Sequence, residues 1–535
     1  MSENTRIVQT TKGPVKGILQ TSIVGEEYYR FRGIPYARPP IGDLRFKDPQ
    51  PVEAWTTPVD ATSQGPTAIA FNFVTFGLNE GCSEDCLTLN VYTKDITPTK
   101  PLPVMVFVHG GAFKYGDTTE NSYGPDYLLE KNVVFVSINY RLGAFGFLSI
   151  PDPSINIPGN AGLKDQRMAL QWVRDNIHAF GGDNKNITAF GESAGAASLH
   201  WHMLSEFSSG LFDKAILQSG TAFADWCHIP QLNWAERLAK QLGWNGEGGT
   251  DGYYQFLKNV DAKQIVKQQE KIMTDVEKKL WIFSPYAPTI EPYVAEQSFF
   301  TKNPSELCRT AWGNRIPIII GGNSEEGILW YHDLITNPSR YDQEDSFKNL
   351  FSFEFGEDSE KTKLYAEKTK RFYYGNEKPT IENISKFMDL IGDRNFINGI
   401  SLAIKARCND PSSAPTYLYR FNFESATGFT MIKNALMASE VRGVCHAEEL
   451  DYLFKTSYGK PVIEGSLEQK TMQRLISSWT QFAATGNPNN DVIAIKWEPV
   501  VKSTIQPYYC LNISNDVTFI KYPETERCAL WNSFV

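Results

Sequence analysis

One serine, Ser193, lies in a G-x-S-x-G spacing that suits nucleophilic catalysis. The segment is Gly191-Glu-Ser193-Ala-Gly195. An apolar strand ends just before it at Phe190, and a helical run of small residues follows. A G-x-S-x-G between a strand and a helix is typical of a nucleophile elbow, a turn so tight that a Cβ at either glycine would clash with its surroundings. The strained backbone pushes the serine Oγ into the open. We therefore predict that Ser193 is a nucleophile, with an ordinary glycine-rich turn as the alternative.

A serine hydroxyl is a weak nucleophile near neutral pH and needs a base, which an acid must in turn orient. Two of the seven histidines lie well beyond the elbow, His332 among apolar neighbours and His446 in a glycine-flanked loop. The elbow favours His446 as the base. Glu325 and Glu326 both follow a buried strand, and either carboxylate suits the role of the acid. Their spacing alone does not choose between them.

The reaction also needs backbone N–H groups that stabilise a developing oxyanion. Gly110 and Gly111 follow an apolar strand, and a chain without side chains can approach a substrate closely. The amide of Ala194 opens the helix after Ser193 and points at the attacked atom. We predict that Gly110, Gly111 and Ala194 form an oxyanion hole, with an ordinary Gly-Gly turn as the alternative at the first two.

The elements that position these residues alternate between strand and helix along the chain. Apolar runs predict buried strands and amphipathic runs predict helices at 102–109, 133–139, 163–179, 188–191, 214–219, 315–321, 417–423 and 470–484. This alternation predicts a large, mixed, mostly parallel sheet with helices on both faces and the active residues at the carboxyl ends of the strands. Together with the elbow, it favours an α/β-hydrolase fold. An alternating hairpin over residues 7–24 lies at a sheet edge, and a proline-rich covering loop follows at 29–40. We expect one domain over 1–535, with insertions at about 221–310 and 331–410 that wall a deep gorge.

Composition excludes several classes of function. The formal net charge of −9, from 52 Lys+Arg and 61 Asp+Glu, argues against a nucleic-acid partner. The scattered histidines lack metal-ligand spacing, so we expect no metal and no cofactor. There is no apolar run long enough to span a membrane and no leader-like N-terminus. Eight cysteines in 535 residues are too sparse for a disulfide scaffold. We expect a cytoplasmic protein with reduced thiols, and a monomer.

Several motifs together resemble the cholinesterase/carboxylesterase (type-B) family of α/β-hydrolases, and within it the insect α-esterase group of detoxifying carboxylesterases, such as mosquito insecticide-resistance esterases. The matching segments are Phe31-Arg-Gly-Ile-Pro-Tyr-Ala, Ser83-Glu-Asp-Cys-Leu, Val108-His-Gly-Gly-Ala-Phe, Asn139-Tyr-Arg-Leu-Gly-Ala-Phe-Gly-Phe-Leu, Gly159-Asn-Ala-Gly-Leu-Lys-Asp-Gln, Phe190-Gly-Glu-Ser-Ala-Gly and Gly443-Val-Cys-His446. The resemblance implies Glu326 as the acid and Gly110, Gly111 and Ala194 as the oxyanion donors. It also implies buried ion pairs Arg38–Glu84 and Arg141–Asp165.

The sequence also differs from particular groups within this family. The segment 68–86 contains Phe71, Phe73 and Phe76 but no tryptophan for a choline group, which argues against an acetylcholinesterase. Cys86 lacks the upstream cysteine that pairs with it in secreted relatives, which supports the cytoplasmic expectation. Juvenile-hormone esterases usually carry glutamine immediately before the serine. Glu192 at this position therefore argues against that assignment.

We therefore expect a serine carboxylesterase for uncharged esters, modified at Ser193 by organophosphates and carbamates, with a role in breaking down or sequestering xenobiotic esters. The alternatives are a non-catalytic binding or adhesion protein on the same fold, and a juvenile-hormone esterase or lipase.

Overall fold

The computed structural model describes residues 4–72, 75, 77–230, 232–503 and 507–534, so Phe73 and Phe76 lie outside the described residues. In this part of the chain the strands are β1 Thr5–Gln9, β2 Pro14–Thr21, β3 Glu27–Pro35, β4 Val59–Asp60, β5 Thr67–Ala68, β6 Cys82–Ser83, β7 Thr88–Thr93, β8 Leu102–Val108, β9 Val134–Ile138, β10 Gly182–Glu192, β11 Lys214–Gln218, β12 Ile318–Asn323, β13 Thr416–Phe421, β14 Tyr509–Ile513 and β15 Val517–Lys521.

The α-helices surround this set of strands. They are α1 Glu120–Tyr123, α2 Gly143–Phe147, α3 Ala161–Asn176, α4 Ala194–Leu204, α5 Trp234–Gln241, α6 Gly249–Asn259, α7 Ala262–Gln268, α8 Asp275–Lys279, α9 Pro304–Leu307, α10 Tyr331–Thr336, α11 Asn349–Phe355, α12 Glu360–Tyr374, α13 Ser385–Gly392, α14 Asn398–Cys408, α15 Ile432–Ala435, α16 Leu467–Thr485 and α17 Thr525–Asn532. The segments 221–310 and 331–410 hold α5–α9 and α10–α14. None of the described helices is long and apolar enough to cross a bilayer.

Most strands belong to one sheet in the order β1-β2-β3-β7-β9-β8-β10-β11-β12-β13-β14-β15, with β4 beside β2. The seven strands from β9 to β14 along this order run parallel, and antiparallel strands flank them on both sides. The central strands are apolar at successive positions because both of their faces are covered. The predicted fold class, a mixed and mostly parallel sheet flanked by helices, is confirmed.

Alternate residues of each central strand point to opposite layers of the core. In β8, Val104 and Val106 belong to one apolar cluster, and Met105 and Phe107 belong to the other. Helices α3 and α4 contribute to the first cluster, while α16 contributes to the second. Helices therefore cover both faces of the sheet and leave the carboxyl ends of the strands for the site.

The N-terminal and C-terminal edges of the sheet extend beyond the sequence-based prediction. The covering loop predicted at 29–40 is wrong over its first half, because Glu27–Pro35 is strand β3, paired antiparallel with β2 and β7. Its buried residues Tyr28, Phe31 and Ile34 show why the pattern is hard to detect, since a register shift after Phe31 interrupts the alternation. Strands β14 and β15 were not predicted either, because both are short strands beside the sheet edge.

Two arginine–carboxylate pairs brace loops near the sheet. The predicted pair Arg38–Glu84 is wrong: Arg38 is exposed, and Glu84 instead receives two hydrogen bonds from Arg45, at 2.7 and 2.5 Å. Arg45 also donates to the carbonyl oxygen of Val260, so its guanidinium links two separate segments. The predicted pair of Arg141 and Asp165 is confirmed, with two hydrogen bonds of 2.7 and 2.6 Å between fully buried groups.

The substitution Asp165→Asn is expected to lower the free energy of unfolding by about 3–5 kcal/mol, because it leaves the buried Arg141 charge unpaired. Urea denaturation followed by tryptophan fluorescence measures this change. The matched control is Asp60→Asn, which breaks the exposed pair with Lys16 and is expected to cost less than about 1 kcal/mol. Equal effects of the two substitutions would contradict the prediction.

Candidate active site

The turn after β10 holds Ser193 in a strained conformation. Its φ is 54° and its ψ is −122°, and the residue caps helix α4. The Ser193 amide donates to the carbonyl oxygen of Gln218 at 2.8 Å. A Cβ on Gly191 would lie 2.6 Å from the carbonyl oxygen of Val108, and a Cβ on Gly195 would overlap that same oxygen. Strand, helix and neighbouring strand therefore meet too closely for any residue but glycine at these two positions.

The structure brings His446 and Glu326 to the same end of the sheet. His446 Nδ1 donates to Glu326 Oε2 at 2.6 Å, and both residues are buried. The second oxygen of Glu326, Oε1, accepts hydrogen bonds from Ser219 Oγ at 2.5 Å and from the backbone N–H of Asn323 at 2.7 Å. The carboxylate is thus fixed in orientation and fixes the imidazole in turn. His332, the other candidate, is exposed on α10, away from the strand ends.

In the described part of the chain, the ion pairs of His446 join it to Glu326 and Glu192, and none joins it to the neighbouring Glu325. Burial, together with the nearby Asp389 carboxyl, raises the pKa of Glu325 to about 8. A carboxyl whose pKa is raised and that has no ion pair with the imidazole is poorly placed to stabilise an imidazolium. The contacts therefore favour Glu326 as the acid, the residue that the resemblance implies.

A second carboxylate, that of Glu192, lies on the other side of the His446 ring. Glu192 Oε1 lies 3.0 Å from His446 Nε2, within the distance of an ion pair when the imidazole is protonated. Burial lowers the pKa of His446, and the carboxylates of Glu192 and Glu326 raise it by more. Burial also raises the pKa of Glu192, which the His446 charge only partly offsets. Glu192 and His446 therefore titrate as a pair.

The substitution Glu192→Gln is expected to move the acidic limb of the kcat/KM profile to lower pH. The Glu192 carboxylate favours protonated His446, which cannot act as a base, so its removal lowers the pKa of the imidazole. Hydrolysis of a p-nitrophenyl ester over about pH 5–9 measures the limb. Glu206→Gln, at an exposed site outside the gorge, is the control. An unmoved limb in the Glu192 variant would show that the two groups are not coupled.

The predicted oxyanion donors surround Ser193 from the β8 side and from the start of α4. Gly110 and Gly111 line the same cavity as Ser193, and Gly111 has a φ of 101°. Among the described residues, no acceptor is bonded to the amides of Gly110, Gly111 or Ala194. The buried His109 holds this turn, since its Nδ1 donates to the carbonyl oxygen of Gly110 at 2.8 Å. Three free amides near one serine Oγ can stabilise a negative oxygen.

The substitution Gly111→Ala is expected to lower kcat for ester hydrolysis by about 100- to 1000-fold, the usual cost of one lost oxyanion donor. A Cβ at this position would overlap the carbonyl oxygen of Tyr115, so the turn must shift. Steady-state kinetics on a naphthyl ester measures the loss. The control is Gly81→Ala, which also has a positive φ, of 63°, but no atom within 4 Å of the new Cβ. If the two variants lose the same activity, backbone strain alone explains the effect.

A cavity of about 330 Å³ opens above Ser193, and its wall is mostly apolar and aromatic. Trp226 and Phe283 come from the insertion at 221–310, and Phe396 comes from the insertion at 331–410. Phe396 lies in the π-helical turn Asp393–Ile397 and stacks on the His446 ring, with centroids 4.2 Å apart. This stacking was not predicted, since no short sequence motif carries it.

No sequence pattern predicts a further part of the cavity wall, which lies in the segment after β13. The segment after β13 contributes Met431, Leu436, Leu450 and Tyr458 to the cavity. Its irregular backbone has no periodic pattern that would have marked it. Among the described residues, no group of histidine, cysteine or acidic side chains has the arrangement of a metal site.

The chain resembles known proteins over almost its whole length. A family model described as the carboxylesterase family matches residues 4–531. Esterase B1 of Culex pipiens is 40% identical over 537 residues, which cover 100% of this chain and 98% of that protein. Juvenile hormone esterase of Tribolium castaneum is 34% identical, over 90% of this chain and 84% of that protein. The crystal structure of juvenile hormone esterase from Manduca sexta, with OTFP covalently attached, superposes with a TM-score of 0.86 at 25% identity and covers 99% of both chains.

Proposed function

Because this chain belongs to the carboxylesterase family and is a carboxylic ester hydrolase, we propose that it works by a serine mechanism in which Ser193 carries the acyl group. The observation that carries this proposal is the 2.6 Å contact between His446 Nδ1 and Glu326 Oε2. His446 and Ser193 line the same cavity. The contact supplies an oriented base in the same cavity as the serine.

In the first half of the reaction, Ser193 Oγ attacks the ester carbonyl carbon while His446 Nε2 takes the hydroxyl proton. The amides of Gly110, Gly111 and Ala194 stabilise the oxyanion. The tetrahedral intermediate then collapses, the C–O bond to the alcohol breaks, and His446 returns the proton to the leaving alcohol. The product is an acyl-enzyme ester on Ser193.

In the second half, a water molecule takes the place of the alcohol. His446 removes its proton, the resulting hydroxide attacks the acyl carbon, and the oxyanion forms again in the same hole. Collapse expels Ser193 Oγ, which regains a proton from His446, and the carboxylic acid leaves. Glu326 holds the imidazole in one tautomer and stabilises its cation in both halves.

The proposed substrates are uncharged carboxylic esters, and the proposed role is detoxification of xenobiotic esters by hydrolysis and by sequestration of organophosphates and carbamates on Ser193. The apolar and aromatic wall of the cavity supports this class of substrate. We further propose a cytoplasmic monomer. The eight cysteines, all within the described part of the chain, form no disulfide, which fits a reducing compartment.

A titration with diethyl paraoxon tests the proposal. One p-nitrophenol is expected to be released per enzyme in a rapid burst, as the phosphoryl group transfers to Ser193 and p-nitrophenol leaves. The slope after the burst separates turnover from sequestration. The absence of both a burst and hydrolysis of a naphthyl ester would overturn the serine mechanism and favour a binding protein on this fold.

A second candidate function, hydrolysis of a juvenile-hormone ester, is favoured by the similarity to two juvenile hormone esterases. Competition between juvenile hormone and a naphthyl ester distinguishes the two candidates. A hormone esterase is expected to prefer the hormone in kcat/KM, and a broad detoxifying enzyme is expected to show no such preference.

A further inference from the structure

The wall of the gorge contains one fixed cation among the described residues that line it. This cation is Lys114, three residues after the oxyanion glycine Gly111. Its amide donates to the carbonyl oxygen of Gly111 at 3.0 Å, so its backbone belongs to the same turn as the oxyanion donors. Its side chain is only 11% exposed. A lysine is unusual in such a place, because an ammonium is costly to bury without partners.

The ammonium of Lys114 has hydrogen-bonding capacity left over. Nζ donates to Glu270 Oε2 at 2.9 Å, the hydrogen bond found for it among the described residues. It also lies 5.0 Å from the centroid of the Phe283 ring and 5.4 Å from that of Tyr115. An ammonium has three N–H donors, so one carboxylate leaves two for other acceptors. Phe283 and Tyr115 line the cavity, and these donors are therefore at its edge.

We propose that Lys114, oriented by Glu270, forms a polar subsite that selects uncharged esters carrying a second carbonyl oxygen beside the ester that is cleaved. This inference rests on the serine mechanism proposed above and names a feature of its substrates. The other charged side chains of the wall are three carboxyl groups and the catalytic imidazole, and none of them is a second fixed cation. Asp117, Glu192 and Asp451 are acids, and His446 is already held by Glu326.

Glu270 completes the subsite by orienting the ammonium. Its side chain is 35% exposed, so solvent partly screens its charge. An acceptor on the ester therefore meets an ammonium that the protein has already positioned, inside a gorge whose wall is mostly apolar. A hydrocarbon ester leaves the two N–H donors unpaired and loses this contact.

The test compares three p-nitrophenyl esters of related acyl chains, the valerate with no acceptor, the levulinate with a ketone, and the adipic acid monoester with a carboxylate. The wild-type protein is expected to prefer the levulinate over the valerate in kcat/KM. In Lys114→Met that preference is expected to fall by about 10- to 100-fold, the value of a hydrogen bond to a charged donor. A preference for the adipic acid monoester over the levulinate would instead indicate an anionic acceptor and would overturn the proposal.

Two further variants define the subsite. Glu270→Gln removes the competing charge and is expected to raise the preference for the adipic acid monoester. Lys263→Met removes an exposed lysine of α7 and is expected to leave every ratio unchanged. If Lys114→Met lowers kcat/KM equally for all three esters, Lys114 only braces the oxyanion turn and the proposal is wrong. If the wild-type protein hydrolyses the valerate and shows no preference for the other esters, the proposed subsite is also wrong. Failure of all three esters would instead overturn the serine mechanism.

Discussion

The substitution Ser193→Ala is expected to lower kcat/KM for a naphthyl ester by about ten thousand- to a million-fold. The variant keeps the oxyanion amides and the binding cavity, but it loses the atom that forms the acyl-enzyme. Only the residual rate that those amides give to a direct attack by water should remain. In the paraoxon titration the same variant is expected to release no burst of p-nitrophenol.

A matched control for this prediction is Ser477→Ala, a buried serine on α16, outside the gorge lining. Its activity is expected to stay within a few-fold of wild type, since a buried serine-to-alanine change mainly affects stability. Circular dichroism verifies that both variants fold. A folded Ser193→Ala protein with near wild-type hydrolysis would exclude Ser193 as the nucleophile.

The substitution Glu326→Gln is expected to lower kcat by about a thousand- to ten thousand-fold. The amide keeps the size of the side chain but removes the charge that stabilises the imidazolium. Its NH₂ group also favours the wrong tautomer of His446, because a donor then faces Nδ1. Steady-state kinetics at a pH where wild-type activity is maximal measures the loss, so that a shifted pH profile cannot imitate it.

The neighbouring glutamate provides a close control for this experiment. Burial and the nearby Asp389 carboxyl raise the pKa of Glu325, which favours the protonated form of its carboxyl. Glutamine resembles this protonated form, and Glu325→Gln is expected to retain most of the activity. A larger loss in Glu325→Gln than in Glu326→Gln would reverse the assignment of the acid.

Local physical chemistry made several features predictable from the sequence. The apolar run at 102–109 predicts a strand buried on both faces, and β8 is such a strand. The glycines at 191 and 195 predict a turn without room for side chains, and the backbone of Val108 occupies that room. These predictions succeed because hydrophobic burial and steric exclusion act within a few residues of the chain.

Local patterns of residue type predict the parallel sheet, the elbow and the set of residues from which a site could be built. The packing of distant elements places Glu326, and not Glu325, against His446, pairs Arg45 instead of Arg38 with Glu84, and brings Glu192 and Phe396 to the His446 ring. Those pairings join positions that are mostly far apart in the chain. The direction and burial of a side chain depend on how whole elements pack, and no local pattern of residue types encodes that packing.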